Sequence, residues 1–144
     1  MSTVLTPSIS VTASPLRDGL ELAGRNLLAL LYLMSGIGKI AAYQASVGYM
    51  RAMGVPGALL PATIALEVVG ALAIMAGWKT RITAFLLAGF TLVAAFIFHS
   101  NFGDQIQMIM FFKNMSIVGA FLMLMANGAG RYSLDARSTR LAVR

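Results

Sequence analysis

The chain has 144 residues, 58% of them hydrophobic and only 11% charged, too few charges to cover the surface of a water-soluble domain, so its solvent is lipid. The net charge of +6 comes from scattered bases, with the aromatics inside apolar runs, which argues against a nucleic-acid surface. Cysteine is absent and histidine occurs once, at His99, which excludes disulfides, thiolate metal sites, CxxC chemistry and a haem held by two histidines. A His/Met haem pair is formally open, but flexible Met is more often packing filler, and no metal site is expected.

In chain order, "MSTVLTPSISVTASPL" opens as a polar, Ser/Thr-rich stretch broken by Pro7 and Pro15. It lacks the basic start, apolar core and small-residue cleavage site of a signal peptide. Residues 1–20 are expected to form a disordered cytoplasmic tail. Four apolar stretches follow, each near the ~20 residues that cross a bilayer. They run from about Leu22 to Ala42, Ala58 to Trp78, Ile82 to Ser100 and Ile106 to Asn127. Lipid leaves backbone groups no partner outside their own segment, so helices are expected. The ten-residue alternating segments of a barrel are not visible. The fold class is therefore all-α, an integral membrane four-helix bundle over residues 21–128.

The links "GWKTR" (77–81) and "NFGDQ" (101–105) are short and predict antiparallel neighbours. The longer "YQASVGYMRAMGVPG" (43–57) has a partly apolar face in Val47, Met50 and Met53, and Gly54-Val-Pro56 ends it. It predicts a short interfacial helix between spans one and two, with Tyr43 and Tyr49 in an aromatic belt; a simple loop is the alternative. Residues 129–144 form a basic tail whose four arginines can meet anionic headgroups on the inner membrane surface.

Eight of the eleven bases (Arg17, Arg25, Lys79, Arg81, Arg131, Arg137, Arg140 and Arg144) fall on one side of the bundle. The positive-inside rule then puts both termini in the cytoplasm. Glu67 lies about 14 Å into the second span, near the midplane. Lys113 lies about 10 Å below the outer surface, and Lys39 and His99 sit near outer span ends. Glu67 is the only acid inside a span and Lys113 the base nearest its depth. The expected pair is Lys113 with Glu67, Lys39 being the second candidate partner and Asn114, His99 and Ser35 adding hydrogen bonds. The blander reading is a structural ion pair, with Lys39 snorkelling outward, His99 bonded to water at the interface and Arg25 a snorkelling anchor. Gly36, Gly38, Gly70, Gly89 and Gly119 are expected to allow close helix approach.

"RNLLALLYLMSGIGKI", "VGYMRAMGVP" and "ALEVVGALAIMAGWKTR", with "FHSNF" and "FFKNMSIVGAFLMLMANGAGRYSLDAR", resemble the DoxX family over roughly residues 25–137. That resemblance implies a small bacterial inner-membrane four-helix bundle. The family takes its name from a subunit associated with terminal quinol oxidase and thiosulfate:quinone oxidoreduction in thermoacidophilic archaea. Such a role makes Lys39, Glu67, His99, Lys113 and Asn114 a candidate headgroup site for a quinone or lipid-like ligand. No cofactor-binding motif lets the chain run redox chemistry alone, so it is not expected to be an enzyme by itself. Membrane lipid, an oxidoreductase protein and further copies of the chain are the expected partners. A membrane assembly or scaffold factor, and a small proton-coupled transporter acting as an oligomer, are the alternatives.

Overall fold

The computed structural model describes residues 14–142. Of the tail expected over residues 1–20, positions 1–13 lie outside the described residues, and helix α1 (Pro15–Ala41) is already formed beyond them. Ser14 sits at its N-cap with extended backbone, Pro15 supplies a preset φ in the first turn, and Asp18 meets the positive end of the helix dipole. The chain bends at Ala42 into the predicted interfacial helix, α2 (Tyr43–Ala52). A 3-10 turn, Gly57–Leu59, leads into α3 (Leu60–Ala76), followed by α4 (Thr80–Phe98), α5 (Gln105–Asn127) and the short α6 (Leu134–Ala142). The segments Pro15–Ala41, Gly57–Ala76, Thr80–Phe98 and Gln105–Asn127 are long and apolar enough to cross a membrane. The protein is an all-α membrane bundle.

Two antiparallel pairs build it: α1 packs along α3, and α4 along α5, with a lesser α3–α4 seam. The core holds Ala29, Tyr32, Ala71, Ile74, Ala84, Leu87, Ala88 and Phe121. Outward faces carry Leu27, Val69, Phe85, Phe96, Phe112 and Met123, all exposed, as lipid contact requires. Only two of the five expected glycine contacts form. A Cβ on Gly36 would lie 2.6 Å from Val68 Cγ2, and one on Gly70 would lie 3.1 Å from Leu87 Cδ2. Gly38, Gly89 and Gly119 meet nothing within 4 Å, so they do not set helix spacing.

The end of the bundle that carries both termini is tied by a polar clasp. Arg25, expected to snorkel, is instead 3% exposed. Its Nη2 donates to Tyr132 O at 2.8 Å and Met75 O at 3.2 Å, and its Nη1 donates to Ala129 O. The reason is that residues 128–135 fold back over the α3–α4 link and present backbone carbonyls where water was expected. Gly77 ends α3 in the left-handed region (φ +66°), where a Cβ would meet Ser133 and lie 2.7 Å from Arg25 Nη1. Trp78 N–H donates to Ala73 O at 2.9 Å and Gly77 N–H to Ile74 O at 3.1 Å, closing a Schellman motif. Asp135 of α6 then caps α4, accepting from Lys79 N–H at 2.8 Å and Thr80 N–H at 2.9 Å, while its own N–H donates to Gly77 O at 2.9 Å. Burial pushes the Asp135 carboxyl up, but those backbone donors and the Arg25 charge outweigh it and hold it below its ordinary value. Arg131 reaches Asp18 at 3.5 Å, joining the same segment to the start of α1.

Candidate functional site

At the opposite end of the bundle, Ser35 and Lys39 stand four residues apart on one face of α1, turned toward α3. Gly36 lets α3 come close enough for Glu67 to meet them: a Cβ on Gly36 would lie 3.4 Å from Glu67 Cβ. Lys39 Nζ donates to both Glu67 carboxylate oxygens at 2.9 Å and to Ser35 Oγ at 2.6 Å. Ser35 in turn donates to Glu67 Oε1 at 3.1 Å. Glu67 is 3% exposed, so this is a buried, fully hydrogen-bonded carboxylate with its counter-ion beside it.

The expected partner was Lys113, and the structure corrects that. Lys113 forms no ion pair with Glu67; among the described residues its ammonium approaches only the thioether of Met110, at 3.0 Å. The cause is the helix pairing. Helix α1 packs directly on α3, whereas α5 packs on α4 and touches α1 little, so Lys39 is the base that shares a seam with Glu67. Lys113 faces the pair across a cavity instead.

That cavity is about 780 Å³ and is lined by all five of α1 to α5. Lys39, Glu67, His99, Lys113 and Asn114 all border it, so the sequence-derived residues do gather around one space. His99 is engaged with Gln107, Nδ1 to Oε1 at 2.7 Å, rather than with the ion pair. Asn114 makes no side-chain hydrogen bond among the described residues and sits beside Lys113 on the wall. Most of the remaining lining is apolar, including Leu66, Phe90, Ala94 and Ile97. Tyr49 and Met50 of α2 also line it, and the Tyr49 ring stacks on Phe98 at 5.4 Å, joining α2 to the end of α4.

Two bordering residues carry no expectation from the sequence. Tyr32 is buried with its hydroxyl donating to Thr91 Oγ1, and Thr91 donates onward to Leu87 O at 2.6 Å. A signal for Tyr32 exists: Tyr32, Ser35 and Lys39 follow the i, i+3, i+7 spacing of one helix face. Nothing comparable marks Thr91, a single hydroxyl in an apolar run.

The space as a whole can take an elongated apolar molecule with one polar end. Its volume lies within the range of small-molecule sites, and its charged groups form the Lys39–Glu67 pair on one side and Lys113 on another.

The DoxX family model matches residues 20–100. Inner membrane protein YqjF of Escherichia coli (strain K12) is 49% identical over 120 residues, covering 83% of this chain and 92% of its own length. Inner membrane protein YphA of the same organism is 39% identical over 128 residues, covering 84% of this chain and 91% of its own. No solved structure matches the chain.

Proposed function

The chain belongs to the DoxX family, and from that premise we propose that it is a membrane subunit holding a quinone or lipid-like molecule for an oxidoreductase partner. It is not an enzyme on its own in this reading. The observation that carries the proposal is the apolar cavity of about 780 Å³ with a charged and amide cluster on its wall. A lipophilic molecule gains by burying its chain among Leu66, Phe90 and Ile97, and its head meets Lys113 and Asn114. The proton-coupled alternative has less support, because Glu67 is tied to Lys39 and Ser35 by three hydrogen bonds that occupy its carboxylate.

The proposed location is the bacterial cytoplasmic membrane, in line with the names of the two Escherichia coli relatives. Residues 21–128 make up the bundle in this arrangement, and both termini, including the tail from 129, are cytoplasmic. The eight bases on that side support it. The chain has no cysteine of its own, so single introduced cysteines report cleanly. In intact cells a membrane-impermeant thiol reagent should spare Ser138→Cys and label Gly103→Cys; labelling of Ser138→Cys would reverse the orientation.

The ligand reading is tested by extracting lipids from protein purified in mild detergent. Quinone or a defined lipid should be retained well above background by the native chain. It should fall well below that in Ala94→Trp, whose indole takes up part of the cavity. Background levels in both would end the proposal.

A further inference from the structure

Three formal charges border the cavity: Lys39, Glu67 and Lys113. The first two neutralise each other across 2.9 Å. Lys113 is left with a thioether sulfur, a weak acceptor that carries no charge. The cavity therefore has one net positive charge on a mostly apolar wall, carried by a lysine whose side chain remains exposed. An intramembrane base without a counter-ion is costly, and an ion that arrives with the ligand removes that cost. Asn114 adds an adjacent amide donor with no internal partner.

Resting on the reading that this cavity holds a lipophilic molecule, we propose that its occupant has an oxyanion head, a carboxylate or a phosphate, on a single long chain, and that Lys113 is the residue that selects the charge. The Lys39–Glu67–Ser35 cluster plays the opposite part. Its carboxylate already has its hydrogen bonds and its lysine already has a counter-ion, so the anion is left to Lys113 rather than to Lys39. The chain of the ligand runs along the Leu66, Phe90 and Ile97 side.

The test uses the full chain in a non-ionic detergent and three probes with comparable chains: oleate, a lysophosphatidate and the neutral methyl oleate. Bound amphiphile is counted by native mass spectrometry. A hydrogen-bonded charge at this site should favour at least one anionic probe over methyl oleate by about tenfold or more. Preference for oleate identifies a carboxylate source, and preference for lysophosphatidate a phosphate source. Lys113→Met should abolish the preference, bringing the anionic probes down to the level of methyl oleate, while Lys113→Arg should keep it. Thermal melts of both variants establish that the fold is intact. Equal binding of all three probes by the native chain would overturn the charge assignment alone. A preference that survives Lys113→Met would overturn the role of that lysine. Binding of none of them, or binding that survives Ala94→Trp, would overturn the cavity reading itself.

Discussion

Replacing Arg25 by Met should destabilise the protein by roughly 3–5 kcal/mol and free the segment from residue 129 onward. Each hydrogen bond from a charged donor is worth about 1.5–3 kcal/mol. Arg25 makes three, to the carbonyls of Met75, Ala129 and Tyr132, and contributions within one network do not simply add. All three acceptors lose a donor in the segment that packs closely on Gly77. Arg25→Lys should recover little, because a single ammonium lacks the planar fork that reaches three carbonyls. The melting temperature in detergent measures the first effect, and trypsin cleavage after Arg131 and Arg137 the second. Unchanged cleavage in Arg25→Met would show that the clasp does not depend on the guanidinium. Acid should open the same clasp reversibly. The folded Asp135 carboxyl lies below its ordinary value, so its contribution is complete above the ordinary carboxylate range and is lost as pH falls through the depressed value. Pepsin accessibility of α6 should therefore rise only at the acid end, and Asp135→Asn should remove that step.

The second large effect belongs to Lys39 and Glu67. Removing one member of a buried pair costs roughly 3–5 kcal/mol because the other charge is stranded. Glu67 is the more deeply buried member, with 4% of its side chain exposed against 29% for Lys39, so Lys39→Met should be the more damaging single change. The double variant Lys39→Met with Glu67→Gln should regain much of that loss. The companion cycle of Lys113→Met with Glu67→Gln should be additive within about 0.5 kcal/mol, since those residues share no bond. Thermal-shift cycles read both couplings. A coupling in the Lys113 cycle and none in the Lys39 cycle would mean that the pairing described here is wrong.

The four spans and the interfacial helix were legible because hydropathy and turn residues act along the chain axis, although the first helix begins at Pro15 rather than near Leu22. The second span, expected from Ala58 to Trp78, runs from Gly57 to Ala76, and the fourth differs from its expected start by one residue. What lies around the axis was harder to see. Inside lipid, Leu on the outer face and Leu in the core look alike: Leu27 is exposed and Leu87 fully buried, yet both sit in unbroken apolar runs. Depth alone therefore ranked Lys113 ahead of Lys39, whereas the choice was made by which helices share a seam. Arg25 eluded the reading for another reason. Its acceptors are backbone carbonyls of residues 75, 129 and 132, and a carbonyl leaves no trace in residue identity. Gly54 and Pro56 marked where the interfacial helix ends, but no residue marked what Arg25 would grip.

The distance along the chain between Arg25 and its partners matters for how the protein is made. Ala129 lies 104 residues and Tyr132 107 residues after it. At synthesis rates of about 5–20 residues per second, roughly 5–20 s separate the emergence of the arginine from that of the carbonyls that will satisfy it. Over that interval α1 has entered the bilayer with a guanidinium still short of two acceptors, and Asp135 has not yet capped α4. Synthesis must pass Asp135 before the clasp can lock, so residues 129–135 act as its closing step, and a chain cut short just before them leaves the spanning helices without these ties at that end.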